Sequence, residues 1–251
     1  MYMGRVGSSP ESEIVRELNG ARVLITGLST SSGVDIARAF ADLKARLIIH
    51  TTDLSPEMTE FVALMSQSAS EIKLYTDPIV SADASVRFAQ NAAQAYGGLD
   101  AVINITTISA SEMTGIATEK DVEALVAAKL TPLAHLTGVT ANRMRVVLND
   151  GLILNVLTMP HPDNGRETAI ATFARAALSA MTKSEAKTWA EQGIRVNSVA
   201  PRVMMSGGFN DGACLTNEPD VAALAIYLAS RRGKSLSGHI FDCDGVAARS
   251  N

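Results

Sequence analysis

The stretch that decides the fold is ARVLITGLSTSSGVDIARAF, residues 21–40. It begins with a short apolar run at residues 23–25, which is typical of a strand covered on both faces. A turn of small polar residues follows Gly27, and apolar side chains then recur at helical spacing from Val34 to Phe40. The free N–H groups and the positive end of a helix that begins after such a turn suit a phosphate group. Taken alone, the stretch is equally compatible with a purely structural role, because many α/β proteins contain this order of elements.

The composition argues against several classes of protein. The 251 residues, 47% hydrophobic and 19% charged, suffice for one sizeable core. The formal net charge of −4, without a long basic run, argues against a nucleic-acid partner. No apolar run approaches the roughly 20 residues that span a bilayer, and the first residues lack an apolar signal core, so we predict no membrane association and a cytoplasmic location. Neither the two cysteines nor the four scattered histidines have metal-ligand spacing, so no metal site is predicted.

Strands and helices alternate along the chain. Residues 1–19 are expected to form a polar extension, and residues 20–251 a single domain. Predicted strands cover residues 23–25, 46–50, 72–76, 101–104, 152–157, 194–199 and 239–242. Helical patterns cover residues 34–40, 56–67, 84–96, 119–145, with a bend at Pro132, 168–190 and 220–230. This alternation predicts parallel βαβ units.

Polar residues collect at the predicted carboxyl ends of these strands. They are Thr26 and Gly27, residues 51–53, residues 104–107, Thr158 and Pro201. Parallel sheets of this kind bind their ligands beyond the carboxyl ends of the strands. The sequence therefore predicts a ligand site at this edge of the sheet.

Four segments resemble the short-chain dehydrogenase/reductase family: GGLDAVIN at 97–104, GIRVNSVAP at 193–201, DVAALAIYLAS at 220–230 and GHIFDCDG at 238–245. The resemblance extends from about residue 21 to residue 245. It implies an α/β fold, a Rossmann-type doubly wound parallel sheet of about seven strands. It also implies NAD or NADP as cofactor, hydride transfer between a carbonyl and an alcohol of a small-molecule substrate, and a homodimer or homotetramer.

The chain departs from the family at the catalytic positions that the resemblance identifies. The family's tyrosine falls on Ala171, its lysine on Arg175, its serine on Thr158 and its asparagine on Lys129. Only Thr158 keeps the expected chemistry, a hydroxyl group. No tyrosine occurs between residues 158 and 175, so a shift of register does not restore the phenol.

Four side chains are the candidates for catalysis, and each has a structural alternative. Thr158 could polarise a carbonyl or bond to backbone, and Arg175 could hold a ribose or an anion or form a salt bridge. Lys129 could be the general acid if burial lowers its pKa, or could reach a carboxylate such as Glu167. His161 is the second candidate proton donor, or a loop histidine.

The cofactor site is altered as well. The family turn TGxxxGxG corresponds to residues 26–33, and Ser31 replaces its middle glycine, so that a Cβ crowds the pyrophosphate position. Thr51 replaces the acidic residue that binds the ribose of NAD, and no arginine beside it favours NADP. The aspartate expected near the adenine falls on Ile79, or on Asp77 if the loop shifts. The cofactor-binding candidates are Thr26, Gly27, Ser29, Ser31, Gly33, Thr51, Asn104, Thr106, Arg175, Pro201 and Ser206.

Two functions remain open at this point. The first is an NAD(P)-dependent oxidoreductase with an altered proton relay. The second is a catalytically silent relative that serves as a binding or assembly subunit, in which Lys129 and Arg175 would suit a carboxylate or phosphate ligand. We favour loss of the ordinary mechanism, because three of the four catalytic positions have changed. The resemblance implies that the two long helices pair between subunits, and their alanine-rich faces would permit close packing.

Overall fold

The computed structural model describes residues 10–79, 81–203 and 214–245. Its centre is a seven-stranded sheet in the order β3-β2-β1-β4-β5-β6-β7, in which every pair of neighbours is parallel. The strands are β1 (Arg22–Thr26), β2 (Arg46–His50), β3 (Glu71–Tyr75), β4 (Ala101–Thr107), β5 (Gly151–Thr158), β6 (Ile194–Pro201) and β7 (Ile240–Cys243). The predicted doubly wound sheet of about seven strands is therefore confirmed.

Helices cover both faces of this sheet. They are α1 (Pro10–Leu18), α2 (Val34–Asp42), α3 (Pro56–Ser68), α4 (Ala82–Ala95), α5 (Ala110–Thr114), α6 (Glu119–Val146), α7 (Gly165–Trp189) and α8 (Glu218–Ala229). Alternate strand residues point to opposite faces, so Val23 and Ile25 pack with α2, α3 and α8, whereas Leu24 packs with α4 and α6. Both faces of the central strands are thus buried, which explains their continuous apolar runs.

The strand order reverses between β1 and β4. The chain proceeds outward from β1 to β2 and β3, then returns to pair β4 with the other side of β1, where Thr26 lies opposite Asn104. The connections on the two sides of this point leave in opposite directions, so a crevice opens at the carboxyl ends of the strands. The candidate site lies at this crevice.

Two helices were not predicted. Helix α1 lies within the proposed polar extension, and its Leu18 is only 4% exposed because it packs into the core, with Ile14 against the same cluster. Helix α5 is a single turn whose start is fixed by a capping box between Ser109 and Glu112. Helix α6 is assigned without interruption through Pro132, and the bend predicted there stays a prediction. None of the helices in the described ranges is long and apolar enough to cross a membrane.

Candidate functional site

Two glycines allow the turn between β1 and α2 to lie close to Ile105 in β4. Gly27 has a φ of +73°, and a Cβ there would overlap the carbonyl oxygen of Ile105. Gly33 has a φ of +91°, and a Cβ there would lie 2.6 Å from the Ile105 side chain. The left-handed backbone and the close approach to Ile105 explain why both positions require glycine.

The turn that follows Gly27 is closed by its own backbone. Ser29 N donates to Ser32 O at 2.9 Å, and Ser32 N donates to Ser29 O at 3.1 Å. The hydroxyl oxygens of Ser29 and Ser31 lie 3.1 Å apart. The amide N–H groups of Ser29 and Ser32 therefore already have partners within the protein, and Ser31 presents a hydroxyl where the family's glycine would leave space.

Asp53 ties the same turn to the end of β2. Its carboxylate accepts hydrogen bonds from Thr30 N at 2.9 Å and from Thr30 Oγ1 at 3.0 Å. The bond from Thr30 N, with further bonds from Ser55, lowers the pKa of Asp53 to about 2. Asp53 is thus a carboxylate at neutral pH, two residues beyond the position where the family's ribose-binding acid is expected.

Thr51 itself supports these loops. It is 1% exposed, its hydroxyl donates to Leu28 O at 2.6 Å, and the same oxygen accepts from Asp53 N at 3.0 Å. The hydroxyl that sequence comparison aligned with a ribose ligand is therefore committed inside the protein. The alignment could not show this, because the bond to Leu28 depends on how β1 and β2 lie side by side.

Helix α2 is capped by a residue from the far end of the chain. The N-cap residue of α2 is Gly33, which has no side chain that could accept hydrogen bonds from the first N–H groups of the helix. Instead, Glu218 Oε1 accepts a hydrogen bond from Asp35 N at 2.8 Å, and its carboxylate also interacts with the N–H groups of Gly33 and Ile36. Burial raises the pKa of Glu218, partly offset by these bonds. Sequence analysis missed Glu218, and no local signal could have found it, because it lies 183 residues from its partner.

Asn104 belongs to a buried polar network rather than to an open surface. Its Nδ2 donates to Asn155 Oδ1 at 3.0 Å, and its Oδ1 accepts from Thr26 Oγ1 at 3.0 Å. Thr137 Oγ1 also donates to Asn155 Oδ1, at 3.1 Å. The cofactor candidates Thr26 and Asn104 therefore join β1, β4, β5 and α6 beneath the crevice.

The expected catalytic positions provide no accessible phenol or hydroxyl. Thr158 is 3% exposed, and its Oγ1 lies 3.1 Å from Thr107 Oγ1. Ala171 is fully buried in an apolar cluster that includes Ile108, Leu157 and Met159. The loss of the phenol at this position stays a prediction, and the sequence did not indicate that apolar side chains surround Ala171.

Each ionisable candidate has an acidic partner. Lys129 Nζ lies 2.7 Å from Glu112 Oε1, so its partner comes from the unpredicted helix α5 and not from Glu167. Burial alone would raise the pKa of Glu112, but the bonds from Lys129 and Ser109 lower it below its usual value.

The other two ion pairs involve residues that follow or lie in β7. Arg175 pairs with Asp242, and His161 Nδ1 lies 2.6 Å from Asp244 Oδ1. A carboxylate already neutralises the Arg175 charge, which weakens the argument that two cations await an anionic ligand. An aspartate beside one ring nitrogen of histidine, however, is an arrangement that orients an imidazole for proton transfer.

A cleft of about 300 Å³ lies at the carboxyl ends of the first four strands, beside α6. It is lined by Thr26, Gly27, His50, Thr52, Pro78, Ile79, Ile105, Thr106, Ala128, Lys129, Pro132, Leu133 and Leu136. Most of its surface is apolar. It includes Ile79, one of the two positions considered for the adenine-binding residue, and the candidate Thr106.

His50 is the most buried ionisable side chain of this cleft. It is 6% exposed, and its Nε2 lies 2.9 Å from the carbonyl oxygen of Asp77. Burial lowers its pKa, so the ring is neutral at pH 7. Because Nε2 must donate to that carbonyl, Nδ1 is left as an acceptor, and it has no hydrogen-bond partner among the described residues.

The remaining predicted positions are distributed as follows. Pro201 ends β6 and is buried, and Ser206 lies outside the described residues. Within the described ranges, no group of three or more potential metal-ligating side chains is found.

Known proteins share this fold and much of this length. The family model described as short chain dehydrogenase matches residues 21–211. The chain is 27% identical over 248 residues to 2-dehydro-3-deoxy-D-gluconate 5-dehydrogenase of Bacillus subtilis, covering 91% of this chain and 94% of that protein. It is 24% identical over 254 residues to galactitol 2-dehydrogenase of Agrobacterium fabrum, covering 91% and 97%.

Solved structures agree with the observed topology. A hydroxysteroid dehydrogenase from Escherichia coli superposes with a TM-score of 0.71 at 22% identity, covering 93% of this chain and 99% of that chain. A short-chain dehydrogenase/reductase from Serratia marcescens superposes with a TM-score of 0.70 at 16% identity, covering 92% and 100%. At these identities the structural likeness concerns the fold alone.

Proposed function

Since this chain belongs to the short-chain dehydrogenase/reductase family, we propose that it keeps the family's nucleoside cleft but has lost the family's ordinary hydride-transfer chemistry. It would then act as a binding protein for a small molecule with a nucleoside-like ring. The observation that carries this proposal is Ala171, which is fully buried among apolar side chains at the position of the proton-donating phenol. A carbonyl that accepts a hydride needs a proton donor near its oxygen, and losing a general acid costs about 10²–10⁴-fold in rate.

The cleft supports the binding half of the proposal. Its volume of about 300 Å³ is at the lower end of the range for small-molecule sites. Apolar side chains can cover the faces of a heteroaromatic ring, and the unpartnered Nδ1 of His50 would accept a hydrogen bond from a ring N–H or amino group once a side-chain movement exposes it.

The site suits the nucleoside half of a dinucleotide better than it suits the complete dinucleotide. NAD or NADP would supply hydride chemistry when bound, but its pyrophosphate needs free N–H groups at the turn and at the start of α2. Ser29, Thr30, Ser32 and Asp35 already donate to oxygens of this chain.

An NAD(P)-dependent oxidoreductase is the second candidate, and one observation favours it. His161 follows the end of β5 by three residues and is paired with Asp244. It is therefore the side chain best arranged to replace the phenol as proton donor. In this case the buried Thr158 hydroxyl, which lies beside Thr107, would have to turn toward the substrate oxygen.

Titration and turnover assays separate the two candidates. We expect calorimetry to detect adenosine binding to the wild-type protein, and we expect no NADH or NADPH oxidation above background with a panel of ketones and aldehydes. Ala128→Trp should fill the cleft and abolish adenosine binding. Ala63→Trp is the control, because it places the same ring on the exposed surface of α3, outside the cleft lining.

Two results would contradict the proposal. Adenosine binding that survives Ala128→Trp would place the ligand elsewhere. Turnover of a carbonyl at an ordinary enzymatic rate, falling about 10²-fold or more in His161→Ala, would establish the oxidoreductase instead.

We also propose that the chain forms a homodimer or homotetramer through α6 and α7. Exposed alanines on these helices, among them Ala127, Ala128, Ala176 and Ala180, would allow their backbones to approach closely.

A further inference from the structure

The amide N–H groups at the start of α2 are already bound to an anion, the carboxylate of Glu218. Its Oε1 lies 2.8 Å from Asp35 N, and the carboxylate also interacts with the N–H groups of Gly33 and Ile36. This helix begins at the carboxyl edge of the sheet, directly after the glycine turn. Among the groups at this edge, these N–H groups are the ones best oriented to receive a phosphate.

Packing holds Glu218 in this position. The side chain of Asn217 caps helix α8 by accepting a hydrogen bond from Asp220 N at 2.8 Å, and Pro219 lies in its first turn. Val221, Ala222 and Ala225 are buried in the same core cluster as Ile36 and Phe40 of α2. Glu218 therefore projects from the start of a helix that is packed against its target helix, and not from an independent loop.

Three N–H groups of the glycine turn are engaged as well. Ser29 N and Ser32 N bond across the turn, and Thr30 N bonds to the carboxylate of Asp53. A phosphate that entered this region would also encounter two carboxylates, Asp53 beside the turn and Glu218 at the start of α2. Like charges at such short range repel strongly in a partly buried site.

We propose that Glu218 is a built-in occupant of the phosphate position and makes the cleft selective for nucleosides over their phosphate esters. This inference rests on the proposed function, because it assumes that the neighbouring cleft takes a nucleoside-like ring. A ligand with a phosphate has to displace the Glu218 carboxylate from the α2 N–H groups. An uncharged nucleoside enters the cleft and leaves that contact in place.

The test measures by calorimetry how tightly the wild-type protein and three variants bind adenosine, ADP and inorganic pyrophosphate. Glu218→Ala removes the carboxylate, and Glu218→Gln keeps an acceptor oxygen for Asp35 N but removes the charge. Asp220→Asn is the matched control, since it removes one negative charge two residues along α8, where the Asp220 side chain faces Thr216 and not α2.

We expect the wild-type protein to bind adenosine at least about tenfold more tightly than ADP. Glu218→Ala should strengthen ADP and pyrophosphate binding by about tenfold or more and leave adenosine binding unchanged. Glu218→Gln should also strengthen ADP and pyrophosphate binding. Because this variant retains the helix cap, it still tests the proposal if the alanine variant folds poorly. Asp220→Asn should behave as the wild type.

Different titrations test the inference and the proposed function: pyrophosphate binding tests the role of Glu218, and adenosine binding tests the proposed function. Equal pyrophosphate affinity in wild type, Glu218→Ala and Glu218→Gln would overturn the role of Glu218, whatever adenosine does. If pyrophosphate binding rises in the Glu218 variants while no protein binds adenosine, the role of Glu218 as occupant stands, and the nucleoside-binding function and the selectivity built on it are wrong.

Discussion

Gly27 and Gly20 have nearly the same backbone conformation but very different surroundings. Their φ angles are +73° and +74°. A Cβ at Gly27 would overlap the Ile105 carbonyl oxygen, whereas a Cβ at Gly20 would have no atom within 4 Å. The pair therefore separates the cost of a left-handed backbone from the cost of a steric clash.

We predict that Gly20→Ala lowers the free energy of unfolding by about 1 kcal/mol, the cost of a left-handed alanine. Gly27→Ala should lower it by at least about 2 kcal/mol more, because β1 and β4 must separate to admit the methyl group. Urea denaturation of both variants provides the measurement. Equal losses in the two variants would show that the approach of Gly27 to Ile105 is unimportant for stability.

Single residues also show the limits of alignment. Sequence comparison identified the positions of Thr51, Lys129 and Arg175 in the family pattern, but not the partners of their side chains. The Thr51 hydroxyl donates a hydrogen bond to Leu28 O. Lys129 forms an ion pair with Glu112, and Arg175 forms one with Asp242. Each partner lies on a different element, so no spacing along the chain indicates it.

At the scale of elements, Asn104 and Asn155 connect the two halves of the sheet. Both are fully buried, and their amides bond to each other and to the hydroxyls of Thr26 and Thr137. The four side chains belong to β1, β4, β5 and α6. Asn155 Nδ2 has no hydrogen-bond partner among the described residues, so the network joins these four elements without being fully satisfied.

We predict that Asn104→Leu lowers the free energy of unfolding by about 3 kcal/mol, because it leaves the Thr26 hydroxyl and the Asn155 oxygen with one partner fewer in a dry interior. Chemical denaturation measures the loss. Asn91→Leu, at an exposed position of α4, is the control and should cost less than about 1 kcal/mol. A loss at Asn104 no larger than that at Asn91 would mean that water or rearranged side chains satisfy the network.

Predicted and observed elements agree closely where the hydrophobic pattern is long. The strand at 46–50, the first four residues of β4 and the long helices α6 and α7 follow directly from the apolar pattern, whereas β4 extends three residues beyond the predicted strand at 101–104. Helices α1 and α5 do not, because they are short and depend on contacts with the rest of the molecule. Leu18 anchors α1 in the core, and Met113, 2% exposed, anchors α5.

At the scale of the whole molecule, self-association is the property that the surface of α6 and α7 predicts. Phe173 is 41% exposed beside the exposed alanines of α7. We expect sedimentation velocity at micromolar concentration to show a dimer or tetramer, and Ala176→Glu to shift it toward monomer, because the pairing buries a charge. Ala63→Glu, on the exposed surface of α3, should leave the assembly unchanged. A wild-type monomer would remove this prediction.

The sequence by itself determined the parallel sheet and the order of its strands, and it predicted a ligand site at the carboxyl edge and the loss of the catalytic phenol. These properties depend on local periodicity and on residue identity at aligned positions. Only the tertiary structure decided that Glu218 caps α2, that Asp53 holds the turn and that every candidate cation is paired with an acid. The reason is physical: a hydrogen bond or an ion pair depends on distance in space, and these partners lie on elements brought together only by folding.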